Sequence, residues 1–97
     1  MTHDEINTAI VRACPDLMYA TPLGTPMCRE SNEPIDPLNS PEVQYEIMKT
    51  LDANQIEVYR NELIKICDPE GLNPAYAITA HPYERAEAFL RAKGRWK

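Results

Sequence analysis

Six of the nine prolines in this chain fall between positions 15 and 41: Pro15, Pro22, Pro26, Pro34, Pro37 and Pro41. Proline has a fixed φ and no backbone N–H, so it stops helices and drops out of sheet ladders. The clustering confines regular structure to a leading helix that ends by Cys14 and to the stretch after Pro41. Between them lies a proline-rich irregular segment at about 20–40. A loop of that length is uncommon in a compact domain and tends to be functional or disordered. The leading reading is a stiffened wrap over the core, and the alternative is a binding loop. At 97 residues and 11.1 kDa the chain makes one domain, 1–97, with a modest core.

Helix signals flank the prolines. Thr2-His3-Asp4-Glu5 reads as a capping box, and Ile6, Ala9, Ile10, Ala13 and Cys14 continue as an apolar stripe, predicting a helix over 3–14. Asp16-Leu17-Met18-Tyr19 suits a short extended piece. Ser40-Pro41-Glu42 offers an N-cap, a proline at the first helical position and an acid in the first turn, predicting a helix over 41–51 with Val43, Ile47, Met48 and Leu51 inward. Residues 55–67 carry two patterns. Ile56, Tyr59, Leu63 and Ile66 form a helical stripe behind an Asp52–Gln55 cap. Ile56 and Val58, then Ile64 and Ile66, alternate as in a hairpin turning at Arg60-Asn61. The cap and the length favour helix. Ala75-Tyr76-Ala77-Ile78 suits a short strand. Thr79 can cap a last helix with Pro82 in its first turn, Tyr83, Ala86, Phe89 and Leu90 buried, and Gly94 as its stop. Trp96 is then placed to fold back on the core. The expected architecture is α-rich α+β, about four helices with at most two or three short strands.

Charge narrows the function classes. Fifteen acids against ten bases give a net charge of -5, which disfavours bulk nucleic-acid binding. No apolar run approaches the roughly 18–20 residues of a membrane span. The acidic start, Met1-Thr2-His3-Asp4-Glu5, lacks the features of a signal peptide, so the expected location is the cytoplasm. The bases are concentrated at one end: Arg85, Arg91, Lys93, Arg95 and Lys97 against Glu87 alone. That segment, with Trp96, has the chemistry to contact phosphates and stack on a base, so Arg85, Arg91, Lys93, Arg95 and Trp96 are the candidate binding residues for a nucleotide or other anionic ligand. The competing reading is that these cations complement the C-terminal dipole of the last helix and pair with the acidic body. Glu42, Glu46, Glu57 and Glu62 on helix surfaces offer the converse, an acidic face presented to a basic partner.

Chemical motifs are sparse. Cys14, Cys28 and Cys67 are an odd set without CxxC or zinc-finger spacing to His3 or His81, so free thiols and no metal are expected. The phosphate-loop, dinucleotide, zinc-protease and serine-hydrolase signatures do not occur. His81 before Pro82 fits a helix start better than a general base. No catalytic residue or cofactor is expected.

Two stretches resemble known proteins. Asp36-Pro37-Leu38-Asn39 ahead of a helix, and Thr79-Ala80 followed by Arg85-Ala86-Glu87-Ala88-Phe89-Leu90-Arg91, Gly94 and Trp96, are similar to small phage and prophage proteins of the phage ABA sandwich type. The resemblance implies a phage or prophage origin and a small α-rich α+β fold, and it carries no catalytic residues. The expected function is therefore a non-enzymatic accessory protein that acts by binding a host protein, such as a defence component. The alternative is a small-ligand or nucleotide-signal binding protein using the basic C-terminal segment.

Overall fold

The computed structural model describes residues 1–72 and 80–96. Among these residues four helices and one antiparallel strand pair follow in the order α1 (His3–Ala13), β1 (Met18–Ala20), β2 (Pro26–Cys28), α2 (Pro41–Met48), α3 (Ala53–Cys67) and α4 (Pro82–Ala92). The protein is thus a small α-rich α+β domain. The strand expected at 75–78 and the cap expected at Thr79 lie outside the described residues.

Helix starts follow local chemistry. Thr2 Oγ1 accepts from the Glu5 N–H at 3.2 Å, and Glu5 Oε1 accepts from the Thr2 N–H at 3.0 Å. The same reciprocal pair opens α3, between Asp52 and Gln55 at 2.8 and 3.0 Å. Each pair satisfies two donors that an uncapped helix leaves open. Ser40 Oγ accepts from Val43 at α2, with Pro41 at the first helical position. The competing hairpin over 55–67 is absent: the stretch is continuous helix.

Three local expectations are corrected. The second helix ends at Met48, not Leu51, because Lys49, Thr50 and Leu51 tighten into bonds three residues back and the Thr50 hydroxyl donates to the Ile47 carbonyl at 2.7 Å. The last helix is capped at His81, whose N–H donates to Glu84 at 2.9 Å, so Pro82 takes the first helical position, where no donor is lost. The proline-rich stretch is not wholly irregular. Ala20 pairs with Pro26, Tyr19 with Met27 and Met18 with Cys28. Ile35 N–H then donates to the Pro26 carbonyl and Cys28 N–H to the Glu33 carbonyl, adding a bridge between Met27 and Pro34. Pro26 fits here because a proline that cannot donate can still accept.

The core joins α1, β1, α2 and α4. Ile6, Ile10, Val11 and Cys14 meet Met18, Leu38, Ile47, Leu51, Ala86, Phe89 and Leu90. Helix α3 lies on α4 over a smaller cluster of Leu63, Ala80 and Ala88, and Tyr59 packs against both clusters. The expected inward stripe of α3 is only partly buried: Leu63 is inside, whereas Ile56 is 41% exposed. Tyr83, expected inside, is equally exposed, because its hydroxyl reaches out to the Met1 carbonyl at 3.2 Å. Trp96 packs back against the core as expected. Gly94, at φ 71°, ends α4 with paired bonds from Gly94 to the Arg91 carbonyl and from Arg95 to the Leu90 carbonyl. That left-handed closure favours glycine.

The Asp36-Pro37-Leu38-Asn39 segment acquires a structural role. Asn7, buried on α1, donates to Asp36 Oδ1 at 2.9 Å and accepts from the Leu38 N–H at 2.9 Å. His3 Nε2 lies 2.7 Å from the same Asp36 oxygen, and Asn39 donates to the other at 3.0 Å. Burial opposes the Asp36 charge, but the bonds from Asn7, His3 and Asn39 overcome it and hold the carboxyl at about 2. The motif thus fastens the end of the proline segment to α1.

Candidate functional site

A broad concave surface lies between the hairpin and the start of α2. It is an open trough of about 1090 Å³, running from Asp16 and Leu17 past Cys28–Ser31 and Glu33 to Pro41–Val43, Tyr45 and Glu46. Its floor is apolar. Met18 is buried, and Leu17, Ile35 and Val43 are half-buried against the core. Its rim carries Asp16, Glu30, Glu33, Glu42 and Glu46 against a single cation, Arg29.

Local structure explains this rim. Asn32, at φ 55°, lets the chain reverse after β2, a conformation that asparagine tolerates better than most residues. Its N–H donates to the Cys28 carbonyl at 2.8 Å, and its side chain accepts from the Tyr19 hydroxyl at 3.0 Å. That reversal sets Glu30 and Glu33 beside the trough. Glu42 and Glu46 are one turn apart on α2, so both face it. Arg29 does little to neutralise them: its Nε donates to the Pro15 carbonyl and its guanidinium stacks 5.2 Å over the Tyr19 ring. Of the four rim carboxylates other than Glu46, none has an ion pair among the described residues, while Glu46 meets Lys49 at 3.2 Å. Hydrogen bonding from Ser31 and then from the Glu30 backbone lowers the Cys28 thiol below its ordinary value.

The five residues expected to bind an anion are not gathered into one site. Arg85 borders a groove between α2, α3 and α4. Arg91 pairs with Glu87 at 2.9 Å and lies 5.7 Å from the Trp96 ring, which in turn meets Tyr83 edge-on at 6.1 Å. Tyr83, Glu87 and Arg91 follow each other at four-residue spacing, so Trp96 folds back along one stripe of α4. Lys93 donates to the Thr50 carbonyl at 2.9 Å. Arg95 follows the glycine turn, exposed. We expect Arg91→Ala to cost at most about 1 kcal/mol and Arg95→Ala less, since exposed pairs contribute little. Thermal melts check this, and a collapse on losing both would place them among the essential supports of the fold.

Of the acidic residues noted from sequence, Glu42 and Glu46 reach the trough. Glu57 and Glu62 do not line it, and Glu62 pairs with Lys65 at 3.7 Å. Sequence reading missed Asp16, Glu30 and Glu33, which are scattered along the chain and become neighbours only through the hairpin. The three cysteines are free thiols. Burial raises the Cys14 thiol, and burial followed by its bond to Glu84 raises Cys67. Among the described residues no group of three or more His, Cys, Asp or Glu side chains is placed to hold a metal ion, and no helix is long and apolar enough to cross a membrane. No protein-family model, curated protein or solved structure matches this chain.

Proposed function

We propose that this protein is a non-enzymatic accessory protein that acts by binding another protein, and that the hairpin–α2 trough is its contact surface. The observation that carries this reading is the pairing of an apolar floor with a rim of five carboxylates and one already engaged arginine. A basic segment with apolar side chains complements both features. The floor supplies the burial that drives association, and the rim steers a cationic partner and excludes acidic ones. The resemblance of the Asp36–Asn39 segment and the C-terminal motif to phage and prophage proteins supports a phage or prophage origin. On that reading the protein works in the cytoplasm of a bacterial host, and its target is a host protein such as a defence component whose basic surface it occupies.

The test is cross-linked capture from bacterial lysate with wild type, Glu30→Lys/Glu42→Lys and Glu57→Lys. The expected result is a partner held by wild type and by Glu57→Lys, released by salt, and lost with the double variant. A partner retained by the double variant would overturn the trough as the contact surface.

A further inference from the structure

We propose that the groove between α2, α3 and α4 binds a small aromatic carboxylate, with the Arg85 guanidinium as its anchor. This site is separate from the protein-binding trough, although Pro41 and Tyr45 border both. The groove holds about 330 Å³, which falls at the small end of the roughly 300–1,000 Å³ typical of small-molecule sites.

Its walls determine the body of the ligand. Ile47, Met48, Ala86 and Phe89 are apolar, and Tyr45 and Tyr59 add ring faces or edges. Such walls favour a flat apolar ring. The polar groups determine the rest. Most cations of the described residues already have partners: Lys49 and Glu46, Lys65 and Glu62, Arg91 and Glu87, Arg29 and the Pro15 carbonyl, Lys93 and the Thr50 carbonyl. The Arg85 guanidinium has neither an ion pair nor a hydrogen bond among the described residues. The neighbouring carboxylate, Glu84, is occupied by the His81 N–H and the Cys67 thiol.

The Tyr59 hydroxyl is likewise without a partner among the described residues. Burial raises its pKa while the Arg85 charge draws it down, so the two groups are within electrostatic reach of each other. A guanidinium and a phenol hydroxyl can together satisfy a carboxylate, whereas a phosphate offers more acceptors than they can fill. Gln44 is held by its amide, which donates to the Leu38 carbonyl at 2.7 Å and the Pro82 carbonyl at 3.4 Å. Its Oε1 is thereby left as an acceptor, which favours a ring bearing an N–H.

Indole-3-acetate is the probe, indole-3-acetamide its uncharged isostere, and isothermal calorimetry with amide NMR the readout. The expected result is saturable binding of the acid, with resonances of Met48, Tyr59 and Phe89 shifting together. The amide should bind about tenfold more weakly or worse, as expected for loss of a charge-assisted pair. Arg85→Gln should erase the preference for the acid at an unchanged melting temperature, and Tyr59→Phe should weaken the acid more than the amide. Absence of saturable binding, equal affinity for acid and amide, or shifts centred on Trp96 would each overturn the proposal. Trough variants such as Glu30→Lys should leave the titration unchanged, so it stands or falls separately from the protein-binding reading.

Discussion

Replacing Phe89 by alanine is expected to leave the protein largely unfolded. Phe89 is 1% exposed and sits where α4 meets α1 and α2, among Ile6, Ile10, Ile47 and Leu90. Truncating a buried phenylalanine typically costs about 3–5 kcal/mol, because the lost transfer energy is joined by a cavity that neighbours cannot close. A domain this small has a stability near the lower end of about 5–15 kcal/mol, so one substitution removes most of it. Phe89→Leu fills more of the volume and should remain folded with a lowered melting temperature. Circular dichroism melts of the two variants give the measurement. An alanine variant that melts like wild type would show that α4 is not central to the core.

Removing the Asn7 side chain is expected to produce the next largest loss. Asn7→Leu leaves the Leu38 N–H without its acceptor and Asp36 without one of its donors. The buried Leu38 N–H so stranded costs about 1–3 kcal/mol, whereas Asp36 is half-exposed and keeps its bonds to His3 and Asn39. Asp36 adds a pH dependence whose sign follows from its environment. Its folded value of about 2 lies below the ordinary 3.8, so the bound carboxylate stabilises the fold fully above 3.8. That contribution is lost as pH falls from 3.8 through 2. Asp36→Asn should therefore be less stable than wild type at neutral pH, with the gap narrowing across that window. Denaturant unfolding of both proteins at a series of pH values measures it. A gap that stays constant down to the acid limit would mean that the Asp36 charge does not couple to folding.

These two residues differ in how visible they are beforehand. Phe89 stands on an apolar stripe with Ala86 and Leu90, and periodicity alone assigns it to the core. Asn7 sits in the middle of a helix, and nothing near it in sequence announces a partner 29 residues away. The Asp36–Asn39 segment is recognisable as a motif, yet its physical purpose, an anchor to α1, emerges only when the chain is folded.

The candidate sites show the same division. A run of positive charge at the C-terminus looks like one site because its residues are close in sequence. On a helix, however, positions six apart point in different directions, so Arg85 and Arg91 separate. Arg91 and Lys93 then find partners within the chain. Arg85 instead borders a groove made by three helices, apart from Arg91 and Lys93.

What the sequence by itself determined are the features that close within about four residues: the capping boxes at Thr2–Glu5 and Asp52–Gln55, the proline start of α2, the glycine stop after α4, and the apolar stripes of α1 and α4. Their donors and acceptors are neighbours along the backbone, so local geometry suffices. Only the tertiary structure decided the pairing of Pro26–Cys28 with Met18–Ala20, the outward turn of Tyr83 and Ile56, and the two grooves. Those depend on which helix covers which face and on chain reversals that bring distant carboxylates together. Periodicity records that a residue has an apolar neighbour on its own helix face; whether another element covers that face is set by long-range packing.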